Sequence, residues 1–281
     1  MESTSLIWLV TGASSGFGRC LVEQAVAAGH RVVATARNPQ SLEDLTNRAP
    51  DSVRTAALDV TKPESVSSAV AGAARCWGRL DVIVNNAGYG LVGALEEYDD
   101  DQIARNLDTN LLGPLRVIRA ALPVLRTQRS GHLINFSAAA AIANYPGFSV
   151  YGGAKAALEA VTESLRLELG PFGVKVTLVV PGPFRTDFIG RSLDRATRQI
   201  PGYEASSGRF AGFLDRMDGK QPGDPVRAAS RIVRMVGQGR APLRLVLGKY
   251  ALDKTRKMLV AREAELREWE PEGLETEFPA G

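Results

Sequence analysis

Short β-branched and apolar runs alternate with amphipathic stretches along the chain. LIWLV (6–10), RVVATA (31–36), VRTAAL (53–58), LDVIVN (80–85), GHLINF (131–136), VKVTLVV (174–180) and LRLVL (243–247) read as strands. Several are apolar throughout instead of alternating, the pattern of strands covered on both faces. Between them GRCLVEQAVAAG (18–29), PESVSSAVAGAARCWG (63–78) and AALEAVTESLRLELG (156–170) read as helices. In the last, Leu158, Val161, Leu165 and Leu169 recur at helical spacing. Gly29, Gly78 and Gly170 stand where helix C-caps are expected. Strand–helix alternation of this kind predicts an α/β fold: a doubly wound, parallel, seven-stranded sheet flanked by helices and joined by right-handed crossovers. With no internal repeat and no linker, residues 1–281 are expected to form a single domain. An irregular stretch rich in Gly, Pro, Arg and Phe (181–223) interrupts the pattern. A charged helix is expected over about 249–270, followed by a polar tail with Pro271, Gly273 and Pro279 that should fray.

Composition narrows the function classes. Hydrophobic residues make up 44% and charged residues 23%, with a formal charge of only +3, so no dense basic tract suggests nucleic acid. LIWLV is too short for a signal core or a membrane span. Cys20 and Cys76 are lone residues in helix-like segments, as expected of a reduced, cytoplasmic protein. The two histidines, His30 and His132, are read as flanking strands at turns. No cluster of His, Cys and carboxylates offers a metal site.

The candidate chemistry begins at TGASSGFG (11–18), which follows the first strand and opens the first helix. Gly12 permits the tight turn, and Gly16 and Gly18 let backbone approach a ligand where a Cβ would intrude. Free N–H groups at the helix start, with the helix dipole, favour a pyrophosphate. In this strand–loop–helix context the loop points to dinucleotide binding on a Rossmann-type sheet. At the end of the next strand, where an acid would hold a free ribose 2′-hydroxyl, the chain has Ala36 followed by Arg37. A guanidinium there suits a 2′-phosphate, so NADP(H) is expected over NAD(H).

TGASSGFG (11–18), DV (59–60), NNAG (85–88), Asn110 within LDTNLLG, YGGAK (151–155) and PGPFRT (181–186) occur in that order. Together they resemble the short-chain dehydrogenase/reductase superfamily, in its shorter, single-domain branch. The C-terminal third is more loosely similar to the hydroxysteroid- and retinol-dehydrogenase-like members. The resemblance implies a cofactor site at Gly12, Ser14, Ser15, Gly16, Phe17, Gly18, Arg37, Asp59, Val60, Asn86, Ala87, Gly88, Pro181, Gly182 and Thr186. In it, Asp59 and Val60 would contact the adenine. Asn85, Ala87 and Gly88 would pack on the adenine-ribose side, and Thr186 would meet the nicotinamide carboxamide. It further implies Tyr151 as acid/base, Lys155 as its activator and ribose anchor, and Asn110 as holder of a water in a proton relay. The chemistry of the pair is sound in itself: an ammonium one helical turn from a phenol favours the phenolate and should bring its pKa down toward the working range.

One element is missing. The family places a serine thirteen residues before the tyrosine, and that position is Ala138. Ser137 is one residue early and, near a strand end, should face the opposite side unless a bulge re-aims it. Ser149 is too close to Tyr151 to serve the same oxygen. The hydroxyl therefore reads as lost, either by a replacement that inactivates a working reductase, the reading preferred here, or by a natural departure that leaves a slow enzyme or a non-catalytic binder.

On the substrate side, a lid over about 183–223 carries Phe184, Phe188, Phe210 and Phe213. With Tyr145, and with Asn144 and Tyr89 as further candidates, it suits an apolar or polycyclic carbonyl or alcohol. The same aromatics could equally pack the lid onto its own domain. The helix from Tyr151 and the segment 115–128 have apolar faces that, by resemblance, predict a homodimer or homotetramer. The expected function is NADP(H)-dependent ketone/aldehyde–alcohol oxidoreduction. The alternative is an NADP(H)-binding sensor or interaction protein without turnover.

Overall fold

The computed structural model describes residues 5–278. Its elements follow the alternation in the sequence: β1 (Ile7–Val10), α1 (Gly16–Ala27), β2 (Arg31–Ala36), α2 (Glu43–Arg48), β3 (Val53–Ala57), α3 (Pro63–Trp77), β4 (Val82–Asn85), β5 (Gly90–Val92), α4 (Asp100–Leu107), α5 (Gly113–Gln128), β6 (Gly131–Phe136), α6 (Ala139–Ile142), α7 (Ser149–Leu169), β7 (Val174–Pro181), β8 (Leu193–Arg195), α8 (Arg209–Met217), α9 (Pro225–Gly237), β9 (Arg244–Leu247) and α10 (Lys249–Leu274). Seven strands form one sheet in the order β3-β2-β1-β4-β6-β7-β9, every pair parallel. Strand order reverses between β1 and β4, which opens a crevice at their C-terminal ends.

The run IWLV explains the layering. Successive side chains of a strand point to opposite faces. Trp8 and Val10 join the core under α1 and α9, while Ile7 and Leu9 join the core under α3, α5 and the C-terminal half of α7. All four residues are buried, as a two-sided apolar strand requires.

Four sequence expectations need correction. The helix read from Tyr151, with its periodic stretch over 156–170, starts two residues earlier, at Ser149, and holds Tyr151 and Lys155 as expected. Gly170 is not a left-handed cap: its φ is −51°, a short 3₁₀ turn continues through Phe172, and the left-handed residue is Gly173. His132 is not at a turn but inside β6, buried, with Nε2 2.9 Å from Thr177 Oγ1. Burial pushes its imidazole down to about 4. Finally, α10 runs through Pro271 and Gly273 to Leu274; Pro271 cannot donate to the carbonyl four residues back, but that end of the helix is exposed and water can serve the carbonyl; Pro279 lies outside the described residues.

The stretch 183–223 is more ordered than its composition suggests. β8 pairs with β5 in a small second sheet, α8 follows, and a parallel bridge joins Phe184 to Gly223. Short pairings and a nine-residue helix lack the periodicity that would expose them in sequence.

Candidate active site

The phosphate loop is shaped by steric exclusion. Gly12 has φ +65°, and a Cβ there would stand 2.9 Å from Ala87 Cα. A Cβ at Gly18 would meet Gly12 O at 2.3 Å and Asn86 Nδ2 at 2.5 Å, a clash with rigid backbone. Gly16 approaches Thr186, so the loop and the Pro181–Thr186 turn face each other. Asn86 fixes the loop by donating from Nδ2 to the carbonyls of Thr11 and Gly12, at 2.9 and 3.0 Å. Thr11 Oγ1 accepts from the backbone N–H groups of Asn86 and Ala87 and donates to Val84 O. Thr11 was not singled out in the sequence; a hydroxyl just before the first glycine was the available signal. Ser15, extended at φ −159°, precedes α1 without a side-chain cap, which leaves the first N–H groups of that helix free to face an anion. Phe17 packs against Phe136 and Phe184 at 5.3 and 5.0 Å. A cradle that any Cβ would fill, beside open helix N–H groups, fits a dinucleotide.

Arg37 is exposed directly after β2. Asp59 accepts from Thr61 through both N–H and hydroxyl, and Val60 packs behind it against Gly113. Asn85 serves the sheet: it is buried and donates to Asn135 Oδ1 at 2.8 Å.

The reactive groups converge at the N-terminal end of α7. Tyr151 and Lys155 are 6% and 5% exposed. Tyr151 packs edge-on to Phe148 and tilted on Phe188. Lys155 Nζ donates to Phe136 O at 3.0 Å and lies 6.0 Å from the Tyr151 ring centroid. Asn110 sits in a π-helical turn, Asp108–Leu112, between α4 and α5, a distortion frequent at functional sites. Its Nδ2 donates to Tyr89 O and Asn106 O, which leaves Oδ1 buried and unpartnered. A Cβ at Gly88 would stand 2.6 Å from Asn110 Oδ1 and 3.4 Å from Lys155 Nζ, so glycine is what lets these groups gather.

Burial shifts the pair in a direction the spacing alone does not give. It pushes Lys155 down to about 8 and pushes the Tyr151 phenol above its usual range. The lowering of the phenol expected from the i, i+4 ammonium is therefore absent: desolvation by burial is what moves both groups. The phenol keeps its proton at neutral pH.

Ser137 and Ala138 settle on opposite sides. The Ser137 hydroxyl donates to Glu159 Oε1 at 2.6 Å in the protein interior, and Arg244 Nε holds the other carboxylate oxygen at 2.9 Å. Ala138 is the extended residue before α6 and packs in the same cluster as Tyr151. Ser137 borders the cavity, yet its hydroxyl belongs to the Glu159–Arg244 pair. Ser137→Ala is thus expected to lower unfolding free energy by roughly 1–3 kcal/mol, read by urea denaturation, while dinucleotide affinity stays unchanged; a lost dinucleotide affinity with intact stability would contradict this assignment.

A cavity of about 200 Å³ opens over these groups. Tyr145, Phe184, Phe188 and Phe213 all line it, as does Tyr89. The lid aromatics therefore line the cavity and also pack the lid onto its own domain, Phe210 stacking on Tyr145 at 4.9 Å. Asn144 does not line the cavity; it holds the turn into α7, donating to Phe148 O and accepting from Tyr145 N. Two polar lining residues escaped sequence reasoning. Tyr250, whose hydroxyl meets that of Tyr145 at 2.9 Å, brings α10 into the wall; Lys254 reinforces it, 3.2 Å over the Tyr145 ring. The other is Gln221. Among the described residues no group of three or more His, Cys, Asp or Glu could hold a metal, and no helix is long and apolar enough to cross a membrane.

Comparison with known proteins gives a consistent picture. The family described as short chain dehydrogenase matches residues 7–196. An oxidoreductase of Botryotinia fuckeliana, BOA17, is 36% identical over 264 residues, covering 94% of this chain and 96% of its own. A 3-ketodihydrosphingosine reductase of Bacteroides thetaiotaomicron is 34% identical, with 86% and 87% covered. A short-chain dehydrogenase from Streptomyces avermitilis superposes with a TM-score of 0.92 at 40% identity, covering 98% of this chain and all of that one. A serine dehydrogenase solved with NADP+ superposes at 0.73 and 26% identity, covering 86% and 94%.

Proposed function

The chain belongs to the short-chain dehydrogenase family, and from that premise we propose that it is an NADP(H)-dependent oxidoreductase interconverting an apolar ketone or aldehyde and its alcohol. The observation that carries the reading is the meeting of Tyr151, Lys155 and Asn110 Oδ1 beside a glycine cradle and beneath an aromatic cavity. When bound, the nicotinamide supplies or accepts hydride at the substrate carbon. Tyr151 supplies the proton to the substrate oxygen. Its raised pKa favours reduction, where a phenol must keep its proton until an alkoxide develops. Lys155, with Nζ 6.0 Å from the Tyr151 ring centroid, carries positive charge below about pH 8 and would hold the ribose. Asn110 Oδ1 is free to hold a relay water.

Arg37, exposed and followed by the Asn38 turn, supports preference for the 2′-phosphate. The lid and its wall of Phe and Tyr support an apolar substrate, and the name of the Bacteroides relative points to ketone reduction as well. The experiment is NADPH and NADH oxidation across a panel of apolar ketones by wild type and Arg37→Glu. NADPH should be preferred by wild type, and the variant should lose roughly ten- to hundredfold of that preference. A preference unmoved by the charge reversal would refute the role of Arg37. Ala138 favours a second reading, a dinucleotide-binding sensor; NADPH binding without turnover by wild type or by a serine-restored variant would support it instead.

A further inference from the structure

Gln221 lies on the cavity wall, 1% exposed, and neither Nε2 nor Oε1 has a partner. A buried primary amide left unpaired at both ends is costly, and an apolar side chain would pack the same wall at no such cost. Its position is fixed by the turn it accompanies. The parallel bridge pairs Phe184 with Gly223, Gly223 N donates to Pro183 O, and Arg185 N donates to Gly223 O. Gln221 lies two residues before Gly223, at the end of that pairing. Its own carbonyl accepts from Arg185 at 3.3 Å, so the residue is tied to the Pro181–Thr186 turn.

Other polar side chains of this wall are already engaged. Asn86 holds the phosphate loop, Asn110 Nδ2 holds Tyr89 O, Ser137 holds Glu159, and Tyr145 meets Tyr250. Thr186 has one hydroxyl, which already accepts weakly from Phe188 N; one hydroxyl cannot match both ends of a carboxamide. We infer that Gln221 is a further cofactor-positioning residue, whose amide pairs with the nicotinamide carboxamide at the cavity wall: its oxygen accepts from the carboxamide NH₂ and its nitrogen is available to the carboxamide oxygen. This fixes the ring's rotation and thereby the face that exchanges hydride. The inference rests on the NADP(H) reading above.

The test measures binding by calorimetry, without turnover, for three ligands: NADPH, its 3-acetylpyridine analogue, in which a methyl replaces the carboxamide NH₂, and 2′-phospho-ADP-ribose, which has no nicotinamide. Wild type should prefer NADPH to the acetylpyridine analogue by roughly five- to tenfold. Gln221→Leu should bring that ratio toward one while 2′-phospho-ADP-ribose binds as before, which also shows that the variant is folded. Gln221→Glu keeps an acceptor for the NH₂ and should retain the ratio. A ratio unchanged in Gln221→Leu, or equal weakening of all three ligands, overturns the inference. Failure of the cofactor reading is separate: 2′-phospho-ADP-ribose would then bind wild type no better than ADP-ribose, and if none of the ligands binds, both fall.

Discussion

Replacing Ala138 by serine is expected to raise the rate of NADPH-dependent ketone reduction by roughly a hundred- to a thousandfold, the usual worth of one donor to a developing oxyanion. The backbone is prepared for it. Ala138 is extended, at φ −157° and ψ 158°, and shares a cluster with Tyr151. A hydroxyl on its Cβ enters the cavity side, whereas the Ser137 hydroxyl points to Glu159. Serine is also a preferred residue immediately before a helix, so the substitution before α6 should cost little stability. Steady-state kcat for the two proteins on the same apolar ketone measures the gain. Equal rates would mean that the substrate oxygen receives its second donor from elsewhere.

Tyr151→Phe is expected to act in the opposite direction, lowering kcat by roughly 10²–10⁴, the range for removing a positioned acid/base. The phenyl ring fills the same contacts with Phe148 and Phe188, so the fold and the glycine cradle remain. NADPH affinity should therefore change little while kcat falls, and parallel loss of both would indicate a structural role for the tyrosine. The desolvation that pushes the phenol up also pushes Lys155 down to about 8. Reduction by the wild-type pair should consequently weaken as pH rises through that value, because the lysine then loses the charge that stabilises oxygen anions beside it.

Much of this was legible in the sequence because the relevant signals are local. Two-sided apolar runs give a parallel sheet, and a glycine loop between strand and helix gives the cradle. The i, i+4 spacing of Tyr151 and Lys155 follows from one helix. The side on which Ser137 falls was likewise readable, since adjacent strand-end residues alternate. What stayed hidden depends on long-range packing. Ser137 meets Glu159 and Arg244 only because α7 and β9 are brought together on the sheet. Tyr250 reaches the cavity because β9 pairs with β7 and delivers α10 beside Tyr145. Gln221 is visible as a wall residue only once Gly223 is seen to bridge Phe184. The upward shift of the phenol is hidden for a similar reason: charge spacing is written in the sequence, but the burial of both partners is not.

The central claim is that the phenol–ammonium pair works beside a missing donor. It is tested most directly by single-turnover NADPH oxidation with wild type, Ala138→Ser, and Ala138→Ser combined with Tyr151→Phe. The account predicts a slow rate for wild type, a rate roughly a hundred- to a thousandfold higher with serine, and loss of that gain when the phenol is removed. No difference between wild type and Ala138→Ser, or a gain that survives without Tyr151, would contradict it.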